Sequence, residues 1–147
     1  MAGDPRQIDQ RVPTRLHHVS LPVTDLERSV RFYREVLGLA PLPRPDFPFE
    51  GAWFAVGAEQ QLHLIVHDRP TLRAGGVDGK DHHFALRVPG YEAMRQHLLA
   101  HGFREDLDAD DPMLMRASPA PVAGFPQIFI LDPDRHVIEI NAEGDGA

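Results

Sequence analysis

The sequence predicts an α+β protein in which one unit, a strand, a helix and three strands, occurs twice, and three observations predict it. First, Leu16-His17-His18-Val19-Ser20-Leu21-Pro22-Val23 returns in near copy 65 residues later as Asp81-His82-His83-Phe84-Ala85-Leu86-Arg87-Val88. Second, each copy is followed by one stretch of helical spacing that a glycine closes. Third, each helix is followed by short runs in which apolar residues alternate. Side chains alternate between the faces of a strand. Val19, Leu21 and Val23 therefore share one side, and Leu16, His18, Ser20 and Pro22 the other. In the second copy Phe84, Leu86 and Val88 oppose His83, Ala85 and Arg87. Each copy aims one imidazole, His18 or His83, at the face its aliphatic neighbours leave free.

Taken in order, residues 1–13 hold two prolines and no periodicity, and read as a loose arm. After the first strand, Thr24 and Glu27 have the spacing of a capping box. Leu26, Val30, Tyr33 and Leu37 recur at helical spacing, and Gly38 stands where the helix should stop. Four prolines at 41, 43, 45 and 48 confine 39–50 to a short edge strand and a loop. Strands follow near Ala52 to Val56 and Gln61 to His67. In the latter, Leu62, Leu64 and Val66 form the apolar side, and Gln61, His63, Ile65 and His67 the opposite one. The first module so defined is 14–69.

Three glycines mark 70–80 as a linker. The pattern restarts with strand 82–88 and a helix from about Tyr91 to His101, with Tyr91, Met94 and Leu98 on one stripe and Gly102 as its stop. A strand near Phe103 and another around Met113 to Arg116 come next. The last strands lie near Gln127 to Leu131 and Val137 to Asn141, joined by the turn residues Asp132-Pro133-Asp134. Ile138 and Ile140 take the apolar side of the final strand; Val137, Glu139 and Asn141 face away. The second module is 81–142, 143–147 is a flexible terminus, and the whole is one structural domain.

Composition narrows the function. A chain of 147 residues, 42% of them hydrophobic, can bury an ordinary core. The net charge of −7, without clustered Lys or Arg, argues against nucleic acid and anionic membranes as partners. Cysteine is absent, so disulfide and thiolate chemistry are excluded. No apolar run approaches the roughly 20 residues of a membrane span, and the opening residues are too polar for a signal peptide. The expectation is a cytoplasmic protein acting on a small molecule.

A module with one helix covers one face of its sheet and leaves the other free. Two such modules can set their free faces around a cleft, forming a curved mixed sheet. His18, His63, His83 and Glu139 would then converge from four strands. Imidazole and carboxylate are ligands for one divalent ion, be it zinc, nickel, iron, cobalt or manganese. Three or four such ligands leave positions open for substrate, as catalytic sites do.

The run His18-Val19-Ser20-Leu21-Pro22-Val23-Thr24-Asp25-Leu26, with Ser29, Phe32-Tyr33 and Leu37-Gly38, resembles the opening of the vicinal oxygen chelate superfamily. That superfamily includes glyoxalase I, bleomycin resistance proteins and extradiol dioxygenases. His83-Phe84-Ala85, and Asp132-Pro133-Asp134 followed by Val137-Ile138-Glu139, are similar to its second-half signatures. Arg44 to Phe47, Gly51 to Phe54 and Leu62-His63-Leu64 look closest to a glyoxalase-I-like subgroup. The resemblance spans about 16–142. It implies paired βαβββ modules and a divalent metal held by His18, His83 and Glu139, with His63 as a candidate fourth ligand. It also implies a homodimer whose subunits share each site. Two departures stand out. His63 occupies a position where glyoxalase I usually has glutamate, and Arg135 follows Asp132-Pro133-Asp134 where the family pattern has glycine. No set of basic residues matches glutathione-binding positions.

The leading expectation is a metal-dependent, glyoxalase-I-like lyase or isomerase acting on a substrate chelated through vicinal oxygens, with Glu139 as the catalytic base. Runners-up are a fosfomycin-type thiol transferase, an extradiol-type dioxygenase and a non-catalytic drug-binding protein of the bleomycin-resistance kind. Trp53, Gln127, Phe129 and Arg87 are the expected substrate-binding residues. Each has a plainer alternative: core packing for the aromatics, preferred for Phe54; an exposed strand position for Gln127; a salt bridge for Arg87; a hydrogen-bonding wall for His63.

Overall fold

The computed structural model describes residues 13–68 and 73–144. Residues 1–12 of the expected arm, 69–72 around the linker and 145–147 lie outside that range. Two separate four-stranded sheets form. The first takes the order β1-β4-β3-β2 from β1 (His18–Val23), β2 (Ala40–Leu42), β3 (Gly51–Val56) and β4 (Gln60–Val66). The second takes the order β5-β8-β7-β6 from β5 (His83–Gly90), β6 (Arg116–Ser118), β7 (Gln127–Leu131) and β8 (Val137–Gly144). In each sheet the module's first strand runs parallel to its last, and the remaining pairs are antiparallel. The result is α+β, with a helix after the first strand of each module.

Alternation in β1 and β5 sorts their residues as the sequence implies. Leu21 and Val23 are buried while His18, Ser20 and Pro22 are exposed; His83, Ala85, Arg87 and Pro89 form the exposed row of β5. The inward faces of both sheets share one core with the helices, and Tyr33, Phe54, Leu64, Leu98, Ile130 and Ile138 are all fully buried within it.

Helix α1 (Leu26–Arg31) widens into a π turn over Phe32–Val36, where the Leu37 N–H donates to the Phe32 carbonyl five residues back. Widening a helix by one residue rotates the next residues about its axis. Here Phe32 and Tyr33, neighbours in sequence, are both buried. The capping box expected at Thr24 is not formed. Asp25 is the N-cap, accepting from the Arg28 N–H at 3.1 Å. Thr24 is already engaged, because its N–H and hydroxyl donate to Asp134 Oδ1 at 3.2 and 2.6 Å. Helix α2 (Tyr91–Ala100) ends at Gly102, φ +95°, with Phe103 and Gly102 N–H groups donating to Leu98 and Leu99 carbonyls, a Schellman closure.

Three elements differ from expectation. The strand near Phe103 is a single bridge between Arg104 and Leu114. The strand placed at 113–116 starts only at Arg116, since Asp111 turns the chain by accepting from Met113 N–H through its side chain and Leu114 N–H through its carbonyl. Strand β8 continues to Gly144, opposite Gly90.

The turn between β7 and β8 joins the modules. Asp132 accepts from Tyr33 Oη at 2.7 Å and from the N–H groups of Asp134 and His136 at 2.9 and 2.8 Å. His136 Nε2 reaches the Pro22 carbonyl at 2.8 Å, and Arg28 lies 3.7 Å from Asp134. Arg135 adopts φ +66°, the only positive φ at a non-glycine residue among the described residues. Its guanidinium donates to the carbonyls of Gly75 and Asp110 at 2.9 and 3.0 Å.

This seam generates two expected outcomes. Burial pushes the Asp132 carboxyl above the ordinary range, against the opposing pull of His136 and Tyr33. Between the usual aspartate value of about 4 and that raised value the folded chain holds more protons than the unfolded one. Stability should therefore fall as pH rises through that interval, and denaturant titrations of Asp132→Asn should lack that component of the slope. At position 135, left-handed backbone costs a non-glycine residue about 1 kcal/mol. Arg135→Ala keeps that cost and loses both guanidinium bonds, so it should unfold more readily than Arg135→Gly by about 1 kcal/mol in urea.

Candidate metal centre

Each sheet carries one pair of candidate ligands on its free face. In the first sheet Ser20 of β1 lies opposite His63 of β4. His18, two residues before Ser20, therefore shares the face of His63. In the second sheet Ala85 of β5 lies opposite Glu139 of β8, and His83 is two residues before Ala85. The pairs His18/His63 and His83/Glu139 thus hold the same register positions in the two modules.

His83 and Glu139 have a preset geometry. His83 Nδ1 lies 2.8 Å from the Asp81 carbonyl, which fixes the proton on that nitrogen. The lone pair of Nε2 is left 3.5 Å from Glu139 Oε1. With the Nδ1 proton held by the Asp81 carbonyl, Nε2 and Oε1 are the two atoms of this pair that one cation can share. Glu139 is 7% exposed and both its oxygens are held: Gln127 Nε2 donates to Oε1 at 3.2 Å and Asn141 Nδ2 to Oε2 at 2.7 Å. Asn141 Oδ1 in turn accepts from Arg87 Nε at 2.6 Å, and the Arg87 guanidinium lies 4.7 Å over the Phe125 ring. Phe129, opposite Glu139 on β7, meets the His83 ring edge-on at 5.5 Å.

The other pair is built from stacked rings. Trp53 lies opposite His63 on β3 and their rings stack at 4.2 Å; His63 stacks in turn on His18, also at 4.2 Å. His63 Nε2 bonds Gln61 Oε1 at 2.8 Å, and His18 Nδ1 bonds His17 Nδ1 at 2.8 Å. Burial, then the neighbouring His18, His17 and Arg44, lowers the pKa of His63. Rings continue outward from Trp53 through Phe47 to Phe49, stacked at 5.1 Å, with the Arg44 guanidinium within 5.0 Å of both phenyl centroids. Gly51 makes room for this loop, because a Cβ there would collide with the Leu64 carbonyl and press on Arg44.

Convergence of all four side chains is not what one chain shows. His18 and His83 border a common cavity of about 350 Å³ with Leu16, Leu62, Phe84 and Leu86. Yet among the described residues no three His, Asp or Glu side chains form a ligand group. Each pair belongs to its own sheet, and no strand pairing joins the sheets. Of the residues assigned to substrate, Trp53 stands in the ring stack and Phe129 beside His83. Gln127 donates through Nε2 to Glu139, and Arg87 through Nε to Asn141. Phe54 is core, fully buried. Asn141 escaped the sequence reading as a site residue. Its signal was its place two residues after Glu139, which puts both on one face of the strand.

Paired βαβββ modules of this kind define the vicinal oxygen chelate class of fold. Residues 15–140 match the Glyoxalase/Bleomycin resistance protein/Dioxygenase superfamily, and the chain belongs to it. A relative from Arabidopsis thaliana, Glyoxylase I 4, is 29% identical over 142 residues, covering 95% of this chain and 74% of its own length. Two solved structures share the fold. A point mutant of the fosfomycin resistance protein FosX of Listeria monocytogenes, complexed with Mn(II) and 1S,2S-dihydroxypropylphosphonic acid, has TM-score 0.66 and 16% identity over 92% of this chain and 94% of its own. Lactoylglutathione lyase of Agrobacterium tumefaciens has TM-score 0.63 and 17% identity over 90% of this chain and 96% of its own. Among the described residues no helix is long and apolar enough to cross a membrane.

Trp53 is the single tryptophan of the chain, so its emission reports on the stack. A protonated imidazole against an indole quenches it. In metal-free protein the emission should stay constant as pH falls to the ordinary histidine value of about 6.5 and drop only below it, where His63 takes up its proton. His63→Phe should abolish that step in a fluorescence titration.

Proposed function

We propose that the protein is a divalent-metal-dependent lyase or isomerase of the glyoxalase I type, acting on a small substrate through two neighbouring oxygens, with His18, His83 and Glu139 as metal ligands. The observation that carries this reading is the register equivalence of the two pairs, which gives each module one half of a ligand set on its free face. The donors suit zinc, nickel, iron, cobalt or manganese. Arabidopsis Glyoxylase I 4, by name, and Mn(II)-bound FosX, by fold, are in keeping with it.

His63 serves as a wall in this reading. Imidazoles stacked 17° from parallel direct their lone pairs side by side, away from a common point. The Nε2 of His63 is also taken by Gln61. The half-sets come together in a homodimer, the first module of one copy facing the second module of the other.

A divalent ion held there supplies Lewis acidity toward vicinal substrate oxygens. The chain supplies the rest. Trp53 and Phe129 wall the site with apolar rings and limit water. Glu139 is the one carboxylate among the four register-equivalent positions, and its Oε1 is turned toward His83, so it is the group we assign to moving a proton at the carbon beside the chelated oxygens.

Elemental analysis should find divalent metal in the purified protein, lost in His18→Ala and Glu139→Ala and kept in His63→Phe. Formation of lactoylglutathione from methylglyoxal and glutathione, with each metal added back, checks the chemistry; no turnover with any of them removes the lyase reading. Mixing inactive His18→Ala and Glu139→Ala chains should restore about a quarter of the sites by forming mixed dimers, whereas sites built within one chain would give no recovery.

A further inference from the structure

The face of β5 and β8 that bears His83 and Glu139 holds a chain of polar contacts that the proposed ligands alone do not explain. It runs from Arg87 to Asn141 to Glu139, with Gln127 closing the other side. Asn141 is 8% exposed, and an amide so placed must turn each end toward a matching partner.

The orientation of Asn141 is decided by Arg87. A guanidinium has donors only. Its Nε, 2.6 Å away, therefore claims Oδ1, and the Nδ2 end must point at Glu139 Oε2, 2.7 Å away. The opposite rotamer would set an amide NH2 against Arg87 and an amide oxygen against a carboxylate, with both contacts repulsive. The strand register supports this arrangement. Asn141 lies opposite Arg87 on β5 and opposite Gln127 on β7, so the neighbouring strands flank it with Arg87 on one side and Gln127 on the other. Ala85, opposite Glu139, is too small to intrude. Arg87 is itself placed by the Phe125 ring beneath it.

From this geometry we infer that Asn141 is a positioning residue, oriented by Arg87, which holds Oε2 of Glu139 so that Oε1 alone is presented toward His83. The inference rests on the proposed role of Glu139 as a ligand. It assigns Arg87 to the site's scaffold and removes it from the residues that bind substrate. Partners behind a metal ligand set its direction, and their loss costs roughly 10–100-fold in metal affinity in comparable sites.

Isothermal titration of the metal-stripped full-length chain with Mn(II) and with Zn(II) tests this directly. Asn141→Ala should weaken binding roughly 10–100-fold. Arg87→Leu frees the amide to rotate and should lose affinity, whereas Arg87→Lys keeps a donor-only partner and should restore most of it. A merely structural role would not produce that Lys/Leu split in variants of equal melting temperature, and circular dichroism supplies that control. Unchanged metal affinity in folded Asn141→Ala overturns the inference while the ligand assignment stands. Arg87→Leu that raises KM for substrate without altering metal affinity overturns it too, returning Arg87 to substrate binding. A wild-type chain that takes up neither ion overturns the ligand assignment itself, and the inference with it.

Discussion

Parallel pairing of the first and last strand within each module is the constraint on which the rest depends. A parallel pair cannot be closed by a tight turn. The intervening helix therefore crosses over one face while the two strands after it extend the same sheet, and the other face is left free of the helix. Once Ser20 sits opposite His63 and Ala85 opposite Glu139, alternation alone sends His18 and His83 to the bare side. A slip of one residue in either ladder would turn the imidazole inward among the aliphatic side chains. The placement of these candidate ligands is thus a property of hydrogen-bonded backbone, and the side chains inherit it.

A set of polar contacts also binds the modules to each other, between the α1 region and the turn from β7 to β8. Tyr33, delivered inward by the widened turn of α1, gives its hydroxyl to Asp132, and Thr24 gives two donors to Asp134. Both aspartates are buried and accept several hydrogen bonds, which makes their desolvation tolerable. Burial also drives the Tyr33 phenol well above its ordinary range, with Asp132 adding to the effect. A charged, hydrogen-bonded seam fixes relative placement more narrowly than apolar contact would. That matters for the proposed site, in which each module presents its own candidate ligands.

The fold was legible because its signals are local and repeated: period-two alternation in β1 and β5, glycines at the helix ends, prolines keeping β2 short. The facing of His18, His63, His83 and Glu139 was legible for the same reason, since strand parity depends only on counting. Sequence could not reveal that Thr24 is claimed by a residue 110 positions away, which moved the helix cap to Asp25. Nor could it show that Gln127 and Arg87 are engaged with Glu139 and Asn141, because that depends on lateral register between three strands. Arg135 is instructive in another way. It stands where the family pattern has glycine and takes a left-handed backbone, and its guanidinium donates to two carbonyls that hold the strained turn in place.

The loop that carries Arg44, Phe47 and Phe49 stands apart from the ladders that carry the ligands, its rings meeting them through Trp53. The ring cluster and the register that places His18 and His63 are therefore set by different parts of the chain. Exchanging Phe47 or Phe49 alters the surface beside Trp53 while the strand pairing that aims the two imidazoles stays as it is. Sequence change is cheap in such a hairpin loop, because no ladder hydrogen bond depends on it.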